Sequence, residues 1–538
     1  MSVILRRSSD IPSEEHIDYY CSTVDVSEIP STTIAKLPDA PSRLEEAFDN
    51  IRDYWWKLGK EIGKTPTAEW AHMPTCGTYA SDFGVMLAWV ALVNKLAQEK
   101  SIILVLCDDP WLFRQLATLD NVKAGKPPSL LLKLLKLRLR GFFARLRLVT
   151  RIFRETLRAR LFGHPIDHSG PVLMVFGHPD SRSDGYDVYF GDIMKKFPNT
   201  LRMMHTDCAV ARAKELAEDN RTASLHAWGQ LKWLLSLIFT RWRPTLRERH
   251  SKDGLLIQRA AEIEGSGGSA AMNRWHMMCQ DAWLKDRKPN CISWPWENHP
   301  WERALTRSAR ALNIPTIGFQ HTVIGAHMFG QSPASNADGF NSIPDQIICN
   351  GPAYRNQLVD WGIPEDRLSI GGNLRLAEPQ KLQYDAAGPI FVALPGHHRF
   401  SNEIMEAVYP LGKRGRQILF KTHPMYNYPF DETEFVHRTR APLHELPPIS
   451  AVVHCLGTVG LEALLNGMPT FRYRPRGDIA MNILPPNLES EAVDFDTIAQ
   501  ALESIKKPDM PKLEDILSPI NYDVWQEAFS SGSRQHVE

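Results

Sequence analysis

Eight short, unbroken apolar runs set the tightest limit on how this chain can fold. They are SIILVLC (Ser101–Cys107), PVLMVFG (Pro171–Gly177), TLRMMHT (Thr200–Thr206), IPTIGF (Ile314–Phe319), QIICN (Gln346–Asn350), PIFVAL (Pro389–Leu394), QILFKT (Gln417–Thr422) and AVVHC (Ala451–Cys455). Runs of this kind, separated by helical stretches, fit strands covered on both faces, as in a parallel sheet. Alternating β and α over such a span implies α/β units. No internal repeat of fixed period accompanies them.

The 538 residues suggest two or three domains at roughly 100–200 residues each. Residues 1–80, rich in Pro, Ser and Thr, read as a partly irregular extension with one helix over Ser42–Gly59. Residues 81–335 are then expected to form an N-terminal Rossmann-like domain, 346–508 a C-terminal Rossmann-like domain, and 509–538 a tail. The turn-rich stretch Gln331–Asp345 is the expected linker. Two Rossmann-like domains facing a central cleft is the economical α/β architecture. The glycine-rich segment Glu264–Ala270 is expected to be a mobile loop, a candidate lid.

Composition narrows the function classes. Basic and acidic residues number 62 each, which removes the global basic excess of a nucleic-acid coat, so no nucleic-acid partner is expected. The longest uncharged apolar stretch, Phe83–Val93, is about half of a bilayer span. The opening MSVILRRSSD turns polar too soon for a secretory leader. A cytoplasmic chain is expected, with any membrane contact peripheral. The eight cysteines, Cys21, Cys76, Cys107, Cys208, Cys279, Cys291, Cys349 and Cys455, form no C-x-x-C pair. Neither a disulfide framework nor a zinc site is expected from them; they read as small hydrophobes.

Residues 130–162 carry ten basic side chains and one acid, Glu155. On a helix, Lys133, Lys136, Arg140, Arg147, Arg151, Arg154 and Arg158 fall within a wedge of roughly 60°. Leu131, Leu135, Leu139, Phe142, Leu146, Val149, Phe153 and Leu157 cover the other side. That is the pattern of a helix lying on an anionic lipid surface; the alternative is a surface helix whose apolar side packs on its own domain. Leu231–His250, with tryptophans and arginines, is a candidate for the same surface.

The chemistry-bearing motifs stand where strands end. PGHHR (Pro395–Arg399) follows PIFVAL, placing Gly396 and His397 at a strand's carboxyl end. Lys421, His423 and Pro424 follow QILF. After AVVHC, Gly457 and Thr458 open a helix that Gly467 ends. Ligands of open α/β sheets gather at carboxyl ends of strands, and a small turn before a helix suits phosphate. Three strand ends in register therefore point to a nucleotide phosphate.

The block NGPAYRNQLVDWGIPEDRLSIGGNLR, with KTHP and GTVGLEALLNGMPTF, resembles the nucleotide-binding half of GT-B glycosyltransferases. It is most similar to bacterial enzymes that build surface polysaccharides from CMP-activated acidic sugars, of the sialyltransferase and Kdo-transferase kind. The resemblance implies that His423–Pro424 and Thr458 contact CMP and that Glu462 holds the donor ribose. Where sialyltransferases often have paired serines, this chain has Gly457–Thr458. A second block, ISWPWENHPWERAL (Ile292–Leu305) followed by IPTIGFQHTVIG, resembles surface-carbohydrate biosynthesis proteins. Tryptophan faces stack on sugars and a cleft carboxylate takes a proton. Glu297 is therefore the first candidate base and Asp184 the second, with Trp296, Trp301, Gln320 and His321 as candidate cleft residues.

No H-e-x-x-H, D-x-D, phosphate-loop or G-x-S-x-G motif is present, so no metal and no cofactor is expected beyond the nucleotide-sugar substrate. The resulting expectation is a metal-independent GT-B transferase moving an acidic sugar, such as a nonulosonic acid or Kdo, from CMP to a surface-glycan or lipid-linked acceptor. It would work as a peripheral protein on the inner face of the plasma membrane. A transferase using a UDP- or GDP-sugar or a CDP-alcohol, or a catalytically silent GT-B-like membrane scaffold, is the alternative.

Overall fold

The computed structural model describes residues 2–534 apart from 12–15, 25–33, 73–75, 79, 164–169, 219, 375–381, 424–425, 486–487 and 489. All eight apolar runs are strands, and all lie in parallel sheets. Three sheets are present among the described residues. The first joins β1 (Val3–Arg6), β2 (Tyr19–Ser22), β3 (Ala35–Lys36), β4 (Ile103–Leu106) and β5 (Val122–Ala124) in the order β3-β2-β4-β1-β5. The second joins β6 (Val172–Val175), β7 (Leu201–Met204), β8 (Thr222–Ser224), β9 (Ile292–Pro295), β10 (Thr316–Phe319), β11 (Gln346–Cys349) and β12 (Leu368–Ile370) in the order β12-β11-β10-β9-β6-β7-β8. The third joins β13 (Ile390–Ala393), β14 (Ile418–Lys421), β15 (Val436–Arg438), β16 (Ala451–His454), β17 (Thr470–Tyr473) and β18 (Glu491–Val493) in the order β15-β14-β13-β16-β17-β18.

Counted within each sheet, the second and third follow the order 3-2-1-4-5-6 of doubly wound dinucleotide-binding folds, the second with one further strand. Two such sheets in one chain make the fold a GT-B one. Their carboxyl ends meet. The loop after β10 and the loop after β17 share two hydrogen bonds, His327 N to Asn482 O at 3.3 Å and Asn482 N to His327 Nδ1 at 2.9 Å.

The expected domain limits shift in four places. Residues before 80 are not a mere extension, because β1, β2 and β3 build a sheet with β4 and β5. The division falls after β12 rather than near residue 340, because β11 pairs with β10 and β12 with β11. The turn-rich Gln331–Asp345 is largely buried short 3-10 turns, with Asn336 bonded to Asn298 and Ser342. The expected tail holds the helix Tyr522–Arg534, whose Trp525 is buried against Phe190 and Phe319 of the second unit.

One apolar core runs through residues of all three units. Glu45 of the first unit is buried and ion-paired to Arg472 Nη1 at 2.7 Å, and also to Arg474, both on the third. His327 of the second unit completes that network through Asp49 at 3.1 Å.

The basic helix spans Leu130–Phe162. A stripe made by Gly141, Arg145, Ile152, Glu155, Thr156 and Ala159 is buried against the body. Gly141 is needed there, since a Cβ would stand 2.6 Å from Ser266 O. The buried Arg145 donates to that same carbonyl and, at 2.7 Å, to Ile238 O. Glu264–Ala270 is therefore a pinned turn, not a lid: Gly268 already starts the next helix, and Ser81 Oγ donates to Glu264 at 2.7 Å. The packed stripe is not the apolar one. Leu131, Leu135, Leu139, Phe142, Leu146, Phe153 and Leu157 are all exposed, beside Leu235 and Phe239 of the neighbouring segment. At 100° per residue the helix carries three faces: packed, bare apolar and basic.

Candidate functional site

Strand order alone brings the donor-side motifs together. β13 lies between β14 and β16, so the loops after the three strands sit side by side, about 4.8 Å apart per strand. Gly396 has no room for a side chain: a Cβ would stand 2.7 Å from the Tyr426 ring and 3.4 Å from His423. The loop after β13 thus closes onto the loop after β14. Tyr426 N donates to His423 O at 3.0 Å, and Tyr426 is a site residue that the sequence did not mark. Pro424 lies outside the described residues.

The turn after β16 is built for an open approach. Gly457 adopts φ 105°, where an L side chain would be strained. Thr458 is exposed, and its hydroxyl makes no capping bond to the helix Val459–Leu465. Glu462, one turn on, is half-buried, and burial raises its carboxyl, opposed by His444 and Lys421. Lys421 ends β14, and its Nζ donates to Ala441 O at 3.0 Å. His397 is exposed and its ring lies on Phe400, centroids 4.2 Å apart. Beneath the turn, His454 is buried against Gly460, where a Cβ would stand 2.3 Å from the imidazole. Burial lowers its pKa to about 3.

On the second sheet, adjacent strands β9 and β10 bring Glu297 and His321 together, Glu297 Oε1 lying 3.5 Å from His321 Nε2. The other carboxylate oxygen accepts from His299 Nε2 at 2.6 Å. Burial opposes charge on His299, but Cys76 and Glu297 raise its pKa well above the ordinary value. Glu302 lies under the loop: its Oε2 accepts from the N–H groups of Glu297 and Asn298, both at 2.9 Å, and from Trp294 Nε1 at 3.0 Å. Burial pushes its carboxyl up to about 7. His299 and Glu302 are the residues that sequence reasoning passed over, although both stand in the same short motif.

Three expectations are corrected here. Trp296 and Trp301 do not face a sugar, because both are core. Trp296 backs onto Gly318, and Trp301 packs on Phe176, His205 and His276. Gln320 is fully buried, its Oε1 accepting from Asn350 N at 2.9 Å, so it ties strand ends together instead of lining a cleft. Asp184 is exposed and paired with Lys195 at 3.0 Å. The Tyr186 N–H and Lys195 hold it down to about 2, far below the range of a base working near neutrality.

No family model matches the sequence, and no curated protein matches it. Among solved structures it is similar to a "glycotransferase of kitacinnamycin" at 12% identity and TM-score 0.36, covering 68% of this chain and 95% of that one. It is likewise similar to UDP-N-acetylglucosamine 2-epimerase from Rickettsia bellii at 14% identity and TM-score 0.32, with 68% and 95% covered. A third likeness is to the lipopolysaccharide outer core galactosyltransferase WaaB at 11% identity and TM-score 0.32, with 67% and 94% covered. The fold assignment itself rests on the strand order.

Proposed function

We propose that this protein is a GT-B glycosyltransferase that moves an acidic sugar from a CMP-activated donor to a surface-glycan acceptor at a membrane face. The observation that carries the reading is the donor-side junction. Gly396 brings the first strand end onto His423, and the positive-φ turn at Gly457 leaves the Thr458 hydroxyl uncommitted at the third. The loops that carry these groups lie at and beside the switch point of a doubly wound sheet, where ligands bind. In the transfer, Glu297 takes the acceptor hydroxyl's proton as its oxygen attacks the anomeric carbon. The bond from that carbon to phosphate oxygen breaks, and CMP leaves with the electron pair. His423 and Thr458 hydrogen-bond the departing phosphate, lowering the barrier by stabilising its charge.

The bare apolar stripe and basic stripe of Leu130–Phe162 support the membrane part of the reading. A lipid-linked acceptor is confined to a surface, and a helix with both stripes exposed lies on such a surface. No described helix is long and apolar enough to cross a membrane. Donor hydrolysis over a panel of CMP-, UDP- and GDP-sugars, followed by mass spectrometry, tests the proposal. Turnover of CMP-sugars is expected; turnover only of UDP- or GDP-sugars replaces the donor, and none at all leaves a silent scaffold.

A further inference from the structure

Two imidazoles and a thiol converge behind the Glu297 carboxylate. Cys76 N donates to His72 O at 2.9 Å, which holds the two residues close together. His299 enters from the start of the helix Pro300–Arg310, its ring edge-on to that of His72 with centroids 5.1 Å apart. One ligand atom from each of His72, Cys76 and His299 lies within 4.8 Å of the other two. Nδ1 of His72 and Nδ1 of His299 are both buried without a partner of hydrogen-bond geometry. A buried polar atom in that state costs free energy unless something binds it.

We propose that His72, Cys76 and His299 bind a zinc ion, with water as the fourth ligand. Two nitrogens and a sulfur suit zinc, and ideal tetrahedral bonds would place them about 3.3–3.6 Å apart, which small side-chain rotations reach from the present spacing. Binding exchanges the thiol proton, now directed at Ala71 O and His72 O, for the metal, and the proton goes to solvent.

The surroundings are those a zinc-bound histidine needs. With Nδ1 on the metal, the Nε2–H of His299 points at Glu297 Oε2, 2.6 Å away. An outer carboxylate of that kind fixes the tautomer and the ring orientation. The metal thus acts as a positioning element: it locks His299, which holds one oxygen of Glu297 and leaves the other toward His321. The site is read without reference to any donor, so it stands or falls apart from the proposed transfer.

The test uses the full-length protein, stripped with a chelator and titrated with zinc against a chromophoric competitor, and with cobalt as a spectroscopic probe. About one ion per chain is expected, and cobalt should give an intense near-ultraviolet thiolate charge-transfer band. Cys76→Ser should abolish that band, while Cys208→Ser, outside the cluster, should keep it. Glu297→Gln should weaken zinc binding about 10–100-fold. Should Cys76→Ser fail to fold, the wild type still decides, through its zinc stoichiometry and the cobalt thiolate band. No uptake of either metal by the wild type, cobalt bound without a thiolate band, or a band that survives Cys76→Ser would overturn the proposal.

Discussion

Replacing four exposed apolar residues of the basic helix by serine (Leu135→Ser, Leu139→Ser, Phe142→Ser and Leu146→Ser) isolates the insertion of that helix from its charge. Their exposures are 58, 51, 40 and 42%, together about two fully bare side chains. Burying a side chain of this size contributes about 1.5–3 kcal/mol, so full immersion of the four would be worth about 3–6 kcal/mol. A helix lying at headgroup depth immerses about half of such a face, leaving about 1.5–3 kcal/mol. That converts to a loss of about 10–150-fold in partition onto vesicles. None of the four is in the packed stripe, so circular dichroism and melting should be unchanged. The complementary variant reverses Lys136, Arg140, Arg147 and Arg154 to Glu; Arg151 and Arg158 are spared because Asp207 O and Glu155 occupy them. Each removed charge should cost up to about 1 kcal/mol on anionic membranes, fading with salt. Co-sedimentation with vesicles of neutral and of phosphatidylserine-containing composition reads both. The reasoning is refuted if wild type stays in the supernatant, or if the serine variant sediments as well as wild type.

Other outcomes follow from the site. His423→Ala and Thr458→Ala should each weaken CMP binding by about 1–3 kcal/mol; calorimetry with unchanged affinity in both would remove the phosphate assignment. Glu297→Gln should lower turnover about 10²–10⁴-fold with an unchanged melting temperature; near-full turnover would exclude it as base. His454 is neutral in the folded protein and takes a proton on unfolding below its ordinary value of 6.5. Its share of stability is complete above that pH and is lost as pH falls toward 3. Relative to wild type, His454→Leu should therefore gain about 1.4 kcal/mol per pH unit on acidification below 6.5. Denaturant midpoints of the two proteins that move in parallel from pH 7 to pH 4.5 would show that the imidazole is not desolvated.

What the sequence reveals here follows physical range. Parallel strands such as Ile390–Ala393 and Ala451–His454 are buried on both faces, so their apolar runs announce them without regard to neighbours. The short polar-edged strands Tyr19–Ser22 and Ala35–Lys36 carry no such signal, and the pairing of Tyr19–Ser22 with Ile103–Leu106 is long-range, so residues 1–80 read as a partly irregular extension. The strand-end motifs were legible because sheet order fixes their proximity once the fold class is known. Trp296 and Trp301 were misplaced because an aromatic stripe looks alike in a sugar site and in a core. The basic helix was found to the residue, but its packed stripe was not: Gly141, Arg145, Glu155 and Thr156 are no apolar pattern, and only Ser266 O, Ile238 O and Val210 N explain their burial. The His72–Cys76–His299 cluster joins residues more than two hundred positions apart, beyond any local spacing rule.

Glu45 meets the Arg472 guanidinium across 427 positions of sequence, and that distance has a meaning in time. Chain elongation at about 5–20 residues per second puts roughly 20–85 seconds between the emergence of the two. Throughout that interval the first sheet can pair all its strands, yet the Glu45 carboxylate, on the helix Ala40–Asn50, has neither Arg472 nor Arg474 to neutralise it. A charge buried without its partners is strongly unfavourable, so that face of the helix must stay open to water until the last fifth of the chain arrives. The opening segment of this protein is therefore the last to be finished.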